Sequence, residues 1–427
     1  MSSIAERLTA SWRPVLGAGL VVLVAGCAML DPRFKEVDVK PGVLAAYLDG
    51  KPEPLKPHYA VLLRQGQRNA IVNEMRIGLA ATELGAREAA MEAFDHVLQS
   101  IESVYANTET AASARKLWNA EAYKDFKGEP YERAMAYYYR GLLYLREGDY
   151  ENARASFKGG LLQDAFAEEE QNRSDFALLT FLEGWASRCA GSESLAADSF
   201  AETTKLKPEL RAPARSHNVL LLAETGTAPV KFGDGPKRSL LKFRRGTGFN
   251  EAGARFEVGG QTIAGFPVED IYVQASTRGG RPVDHILAGK VTFKETAATT
   301  GTVLKTVGVA TLAAGAARRS NEATIAGGVL TIAGFIAQGV SDAVRPEADA
   351  RYWDNLPDGV HVATLGLPPA SASVQVGFVD ASGQVLERLT KTTEITFAGT
   401  CGLAWARSRG AVPASPTAPG TTAITGQ

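Results

Sequence analysis

Few residues in this chain have the type and spacing that chemistry needs. The five histidines, His58, His96, His217, His285 and His361, are scattered, and none forms HExxH or stands beside a cysteine or carboxylate at metal-ligand spacing. GxSxG, a Walker A loop and a GxGxxG opening a helix after a strand are all missing from the sequence. GTGFNEAG, from Gly246 to Gly253, has the glycines without that context. Asp270, Asp284 and His285 are the nearest approach to an acid–base set, and nothing in their spacing requires one. The three cysteines, Cys27, Cys189 and Cys401, form neither a CxxC nor a metal cluster. Cys189 falls on a predicted helix, where a small buried thiol is the expected reading. The sequence therefore predicts no catalytic, cofactor or metal residue, and a protein that works by binding.

Cys27 is the exception, because its neighbours give it a chemical fate. Arg7 and Arg13 precede an apolar run from Val15 to Ala25, which ends in Leu23-Val24-Ala25-Gly26-Cys27. A charged start, a short apolar core and small residues before a cleavage point make a secretory signal. Its end resembles the lipobox of bacterial lipoproteins, in which the peptide is cut before the cysteine. That resemblance implies a signal peptide over 1–26 and a lipidated Cys27 as the mature N-terminus. Several acyl chains on one cysteine suffice for stable membrane attachment. Ala28 follows, where aspartate would retain an enterobacterial lipoprotein at the inner membrane. The expected location is the periplasmic side of the outer membrane, with the inner membrane as the alternative where sorting differs.

Residues 27–58, with Pro32, Pro41, Pro52, Pro54 and Pro57, read as a tether. Helical periodicity occupies 59–225. Within it Gly141, Gly148, Ala153 and Phe157 have the same mutual spacing as Gly78, Gly85, Ala90 and Phe94, and as Gly184, Gly191, Ala196 and Phe200. Small residues let two helices approach, the second glycine makes the turn, and the aromatic fills the gap. The pattern resembles the tetratricopeptide repeat, and Pro208 stands at the family's terminal proline. By register the first helices would line a concave groove with Met135, Tyr138, Leu142 and Leu145, then Leu178, Phe181, Trp185 and Arg188. Tyr138, Leu142, Phe181, Trp185 and Arg188 are the candidate protein-binding residues. The groove either holds a peptide or helix of another envelope protein or is filled by the chain itself.

From Pro229 the character changes. KFGDGPKRSLLKFRRG carries Lys231, Lys237, Arg238, Lys242, Arg244 and Arg245 against one aspartate. This is either a solvated loop or a surface for lipid headgroups or an acidic partner. ARFEVGG, EDIYVQAST, GVHVATLGL, ASVQVGFVD and EITFAG read as strands between glycine or proline turns. They predict a small antiparallel β-domain over 229–400, with Trp353 plugging the junction beneath the GVHVATLGL strand. An apolar Gly/Ala-rich helical hairpin is inserted at 282–344. It packs on the β-domain, or enters a membrane interface or assembly, or spans a bilayer. Residues 407–427 read as a disordered tail.

The predicted class is α+β: an N-terminal α-solenoid of about three tetratricopeptide-like hairpins, then the small β-domain with its inserted hairpin. Net charge is −1, from 46 basic and 47 acidic residues, so no global field favours nucleic acid. FKGEPYERAMAYYYRGLLYLREGDYENARASFKGGLLQDAFAEEEQ, GRPVDHILAGKVTFK and ADARYWDNLP together resemble a family of bacterial lipoproteins with helical repeats and an interrupted C-terminal β-region. The resemblance implies that architecture and no activity. A looser likeness to lipoproteins that activate penicillin-binding proteins implies, by analogy, a scaffold role in envelope assembly. The other readings are a membrane-active or oligomer-forming component using the Gly/Ala hairpin, and an envelope enzyme.

Overall fold

The computed structural model describes residues 36–105, 125–165, 175–235, 238, 240–277, 348–370 and 372–410. The signal peptide, Cys27, the Gly/Ala insertion, Asp284 and His285 lie outside the described residues, as does 411–427.

The N-terminal half is helical: α1 (Pro41–Leu48), α2 (Lys56–Gln65), α3 (Ala70–Leu84), α4 (Arg87–Tyr105), α5 (Pro130–Glu147), α6 (Tyr150–Ala165), α7 (Ala177–Cys189) and α8 (Glu193–Leu206). Three hairpins, α3/α4, α5/α6 and α7/α8, carry the repeated spacing. In each, the first glycine lies under the ring of its phenylalanine. A Cβ on Gly78, Gly141 or Gly184 would stand 2.8, 2.3 or 2.9 Å from Phe94, Phe157 or Phe200. Helix α5 shows why the boundaries fall where they do. Pro130 occupies its first turn, and the Glu132 side chain reaches back to the Glu129 N–H at 2.7 Å, one half of a capping box. Gly148, at φ 76°, closes it in the left-handed conformation.

Folded structure begins earlier than the tether reading allowed. Helix α1 and the short turn Glu53–Leu55 precede α2, and Leu55, His58 and Tyr59 are buried. Pro41, Pro54 and Pro57 open the first turns of short helices, where no amide donor is needed.

The strands are β1 (Val219–Thr225), β2 (Val230–Asp234), β3 (Leu240–Arg244), β4 (Glu251–Val258), β5 (Gln261–Ala264), β6 (Phe266–Asp270), β7 (Gly359–Leu365), β8 (Ala372–Asp380), β9 (Lys391–Ala398) and β10 (Cys401–Arg407). A short helix, α9 (Ile271–Thr277), follows β6, where EDIYVQAST read as strand. Asp270 Oδ1 accepts the Val273 N–H at 2.9 Å and so caps it. Strands β2 and β3 form a separate hairpin. The other eight make one mixed sheet in the order β5-β4-β8-β9-β10-β1-β7-β6, with β1 and β10 parallel. Only Gly265 separates β5, paired with β4, from β6, paired with β7. The Gly265 amide itself bonds Ala254 O at 2.8 Å. The sheet thus wraps into a nearly closed barrel, not the small antiparallel domain expected.

Strands β1 and β10 are not among the segments that read as strands, and neither is the short β5. Residues 219–225 read as the end of the helical region, and 401–407 fell at the edge of the predicted tail. Both are buried along their whole length. One face of β1, with Val219, Leu221 and Ala223, fills the barrel with Phe256, Val376 and Phe378. The other, Leu220 and Leu222, joins Leu403, Trp405, Val360 and Val362 in a core shared with the helices. Strands buried on both faces lose the alternation that marks a strand. The helical array and the barrel are therefore packed on one continuous core rather than standing as two units. Trp353 is part of it, 6.2 Å from Phe94 and 5.7 Å from Tyr139 between ring centres.

Candidate functional site

The predicted groove is occupied by the chain's own barrel. Tyr138, Leu142, Phe181 and Trp185 are each at most 2 % exposed, as are Met135 and Leu178, and Leu145 is also buried. They share one buried core with residues of β10, β1, β7 and β6, Tyr138 reaching the barrel directly and Phe181 packing on Phe200 of its own hairpin at 5.4 Å. Arg188 is half-buried and serves the fold, donating to Pro213 O and Ala214 O at 3.2 and 3.0 Å above the Phe200 ring. The open-groove assignment is corrected on this point: an apolar concave face of this size finds its lowest free energy against the outer face of the barrel.

At the centre of that interface sits Glu224, the sixth residue of β1. Its Oε1 accepts from Tyr138 Oη at 3.1 Å and Trp405 Nε1 at 2.8 Å, and its Oε2 from Tyr139 Oη at 2.9 Å. Arg407, paired with it across β1 and β10, brings Nε within 2.9 Å of Oε2 and donates through Nη2 to Asn355 O at 2.5 Å. Burial pushes the Glu224 carboxyl up, and Arg407 with the three donors pulls it back.

Glu132 forms a second buried node. It accepts the Trp353 N–H at 2.8 Å and pairs with Lys231 Nζ at 3.5 Å, while Lys231 also meets Glu129 at 3.2 Å. Lys231 belongs to the predicted basic patch, and it points inward. Lys242 pairs with Asp234, and Arg245 with Asp358 and with Asp270 at 2.6 Å. Lys231, Lys242 and Arg245 thus have their charge met by this chain's own carboxylates, and Lys237 lies outside the described residues. Asp270 is held as half of an ion pair and a helix cap, not as an acid–base member.

Two further buried groups are of catalytic type. Glu269, on β6, accepts the Leu178 N–H at 3.3 Å and Gln274 Nε2 at 3.0 Å, and so caps the start of α7 from another element. Burial pushes its carboxyl up to about 7. His361 points into the barrel, its Nε2 3.2 Å from Thr225 Oγ1, and burial pushes it down to about 4. A neutral imidazole beside a threonine hydroxyl has the elements of a base and a nucleophile. Here both are packed into the barrel wall, with His361 4 % and Thr225 4 % exposed. Among the described residues no group of three or more His, Cys, Asp or Glu is placed to hold a metal ion.

Cys189 and Cys401 form a disulfide, with Cα atoms 5.9 Å apart, joining the end of α7 to the start of β10. The single-thiol reading of Cys189 is corrected accordingly. Cysteine arithmetic offers the signal only on the lipoprotein expectation: were Cys27 acylated, two cysteines would remain for an exported chain to pair.

An open groove among the described residues lies between the second helices of two hairpins. Leu161, Leu162 and Leu206, with Lys158, Glu183 and Asp198, line a groove of about 720 Å³ between α6 and α8, floored by α7. Leu162 is 57 % exposed there. Compared with protein-family models, with curated proteins and with solved structures, the chain matches none.

Proposed function

We propose that this protein is an exported lipoprotein, held through lipid on Cys27 at the periplasmic face of the outer membrane, which serves as a rigid scaffold binding another envelope protein. The observation that carries the reading is the Cys189–Cys401 disulfide. Bonds of this kind persist in oxidising compartments such as the periplasm. It agrees with the export signal and leaves Cys27 as the remaining cysteine, at the position where acylation would occur. Binding, rather than catalysis, is supported by the use made of the charged groups at the interface. Glu224, Arg407, Glu132 and Lys231 are spent on one another and on the fold.

With the concave face filled, the partner's place moves to the open groove around Leu162. Apolar walls beside carboxylates suit a partner segment that carries apolar and basic side chains.

Two measurements test this. Mass spectrometry of the mature protein should show diacylglycerol on Cys27 and no free thiol. An uncut N-terminal segment, or reduced Cys189 and Cys401 in cells, would overturn export and anchoring. Site-specific photocrosslinking from position 162 should trap one discrete envelope protein, and from position 138 only internal products. Equal patterns from both positions would overturn the scaffold reading.

A further inference from the structure

Helix α1 is an anomaly for a protein surface. Its sequence, PGVLAAYL, carries no charge, and none of its residues is buried. A helix apolar on all sides is ordinarily covered by something. Tyr47 and Leu48 lean on the helical core, Tyr47 edge-on to Tyr59 at 6.3 Å. The other side, with Val43 at 56 % exposure and Ala45 and Ala46 beside it, faces outward. Val37, four residues before the helix, is 63 % exposed. Eight residues do not hold a helix in water by themselves. Here the Val37 N–H bonds Arg64 O at 2.8 Å and fixes the segment to the end of α2.

What covers this surface follows from where the chain comes from. Val37 stands ten positions after Cys27, so ten residue steps join them. Fully extended they span at most about 35 Å. An acylated Cys27 therefore keeps α1 within a short tether of the bilayer, at an effective concentration far above that of any dissolved partner. The charges flanking the helix, Glu36, Asp38 and Lys40 before it and Asp49 and Lys51 after it, are mixed in sign. They give no net pull towards anionic headgroups, so contact would come from shallow apolar insertion.

We infer that the outward face of α1, with Val37, rests on the lipid bilayer that holds Cys27, so that the folded body lies against the membrane instead of being lifted from it. The inference depends on the lipoprotein reading above.

The disulfide and the lipid leave no free thiol, so Val43→Cys introduces a single labelling site. Lipidated full-length protein carrying an environment-sensitive fluorophore there is reconstituted into phosphatidylethanolamine/phosphatidylglycerol vesicles containing nitroxide lipids. The control is the same label at Leu195→Cys, an open apolar position on α8. The expected result is a blue shift and several-fold stronger quenching at position 43 than at 195, unchanged by high salt. Equal quenching at both sites, on vesicles that carry the protein through flotation, would overturn the contact while leaving the anchor intact. Protein that fails to float and lacks acyl chains would overturn both readings. A label at 43 shielded in a concentration-dependent way without vesicles would assign α1 to a second copy of the chain and overturn the bilayer contact.

Discussion

The Tyr138 hydroxyl donates to Glu224 across 3.1 Å, from the helical array to strand β1 of the barrel. The same carboxylate collects Tyr139, Trp405 and Arg407. Removing it would strand a guanidinium, two hydroxyls and an indole in a buried interface. Glu224→Ala is expected to cost about 3–5 kcal/mol, the range for breaking a buried pair from one side. Tyr138→Phe deletes one donor and should cost about 1–2 kcal/mol. Denaturant unfolding of both variants checks the order. Equal losses would mean that Glu224 is not the node of the interface.

Cys189 and Cys401 close a loop with a sequence separation of 212 residues. In the chain-entropy model a loop of that length confines the unfolded chain by about 5 kcal/mol, an upper figure that native strain reduces. The Cys189→Ser/Cys401→Ser variant should unfold at clearly lower denaturant, yet keep its far-ultraviolet circular dichroism in buffer, because the core shared by helices and barrel is independent of the bond. An unchanged midpoint, with the wild type shown to be oxidised, would count against this account.

The contrast between what was readable and what was not has a physical basis. Gly141 and Phe157 meet within one hairpin, so their contact is written as a fixed spacing and is visible without a structure. β7, β8 and β9 were legible from their strand-forming residues and flanking turns. VLLLAET and CGLAWAR were not, because burial on both faces erases that alternation. The fate of Tyr138 and Trp185 was hidden for another reason. Which surface covers a concave face depends on residues far away in sequence, here Leu222, Val362 and Trp405. Glu224 and Arg407 pair across 183 positions and leave no local signature.

The hairpin contact also predicts a graded series. Gly141→Ala would put a methyl 2.3 Å from a fully buried Phe157 ring, whereas Gly184→Ala would put one 2.9 Å from Phe200. Overpacking of this kind costs about 1–3 kcal/mol. The helix propensity of alanine over glycine returns up to about 1 kcal/mol. Gly141→Ala should therefore lower the melting temperature by more than Gly184→Ala. The reverse order would show that the middle hairpin is not the tightest.

Three buried groups make stability depend on pH, one of them against the other two. Glu269 is raised from 4.5 to about 7 by burial, so between those values the native state keeps a proton that the unfolded chain has released. Its contribution falls as pH rises through that window. His361 is lowered from 6.5 to about 4, so there the unfolded chain holds the extra proton, and stability is lost as pH falls from about 6.5 towards 4. Asp358, raised from 3.8 to about 6 by burial, acts in the same sense as Glu269. Glu269→Gln keeps an acceptor for the Leu178 N–H and removes the charge. Above pH 7 the variant should be more stable than wild type, by on the order of 1–3 kcal/mol. Near pH 4 the two should converge, since Glu269 is then protonated in the folded protein and largely so in the unfolded chain. The measurement is the denaturant midpoint of both proteins across this range. A constant offset between the curves would show that the glutamine acts through packing and that Glu269 does not titrate in the window its burial sets.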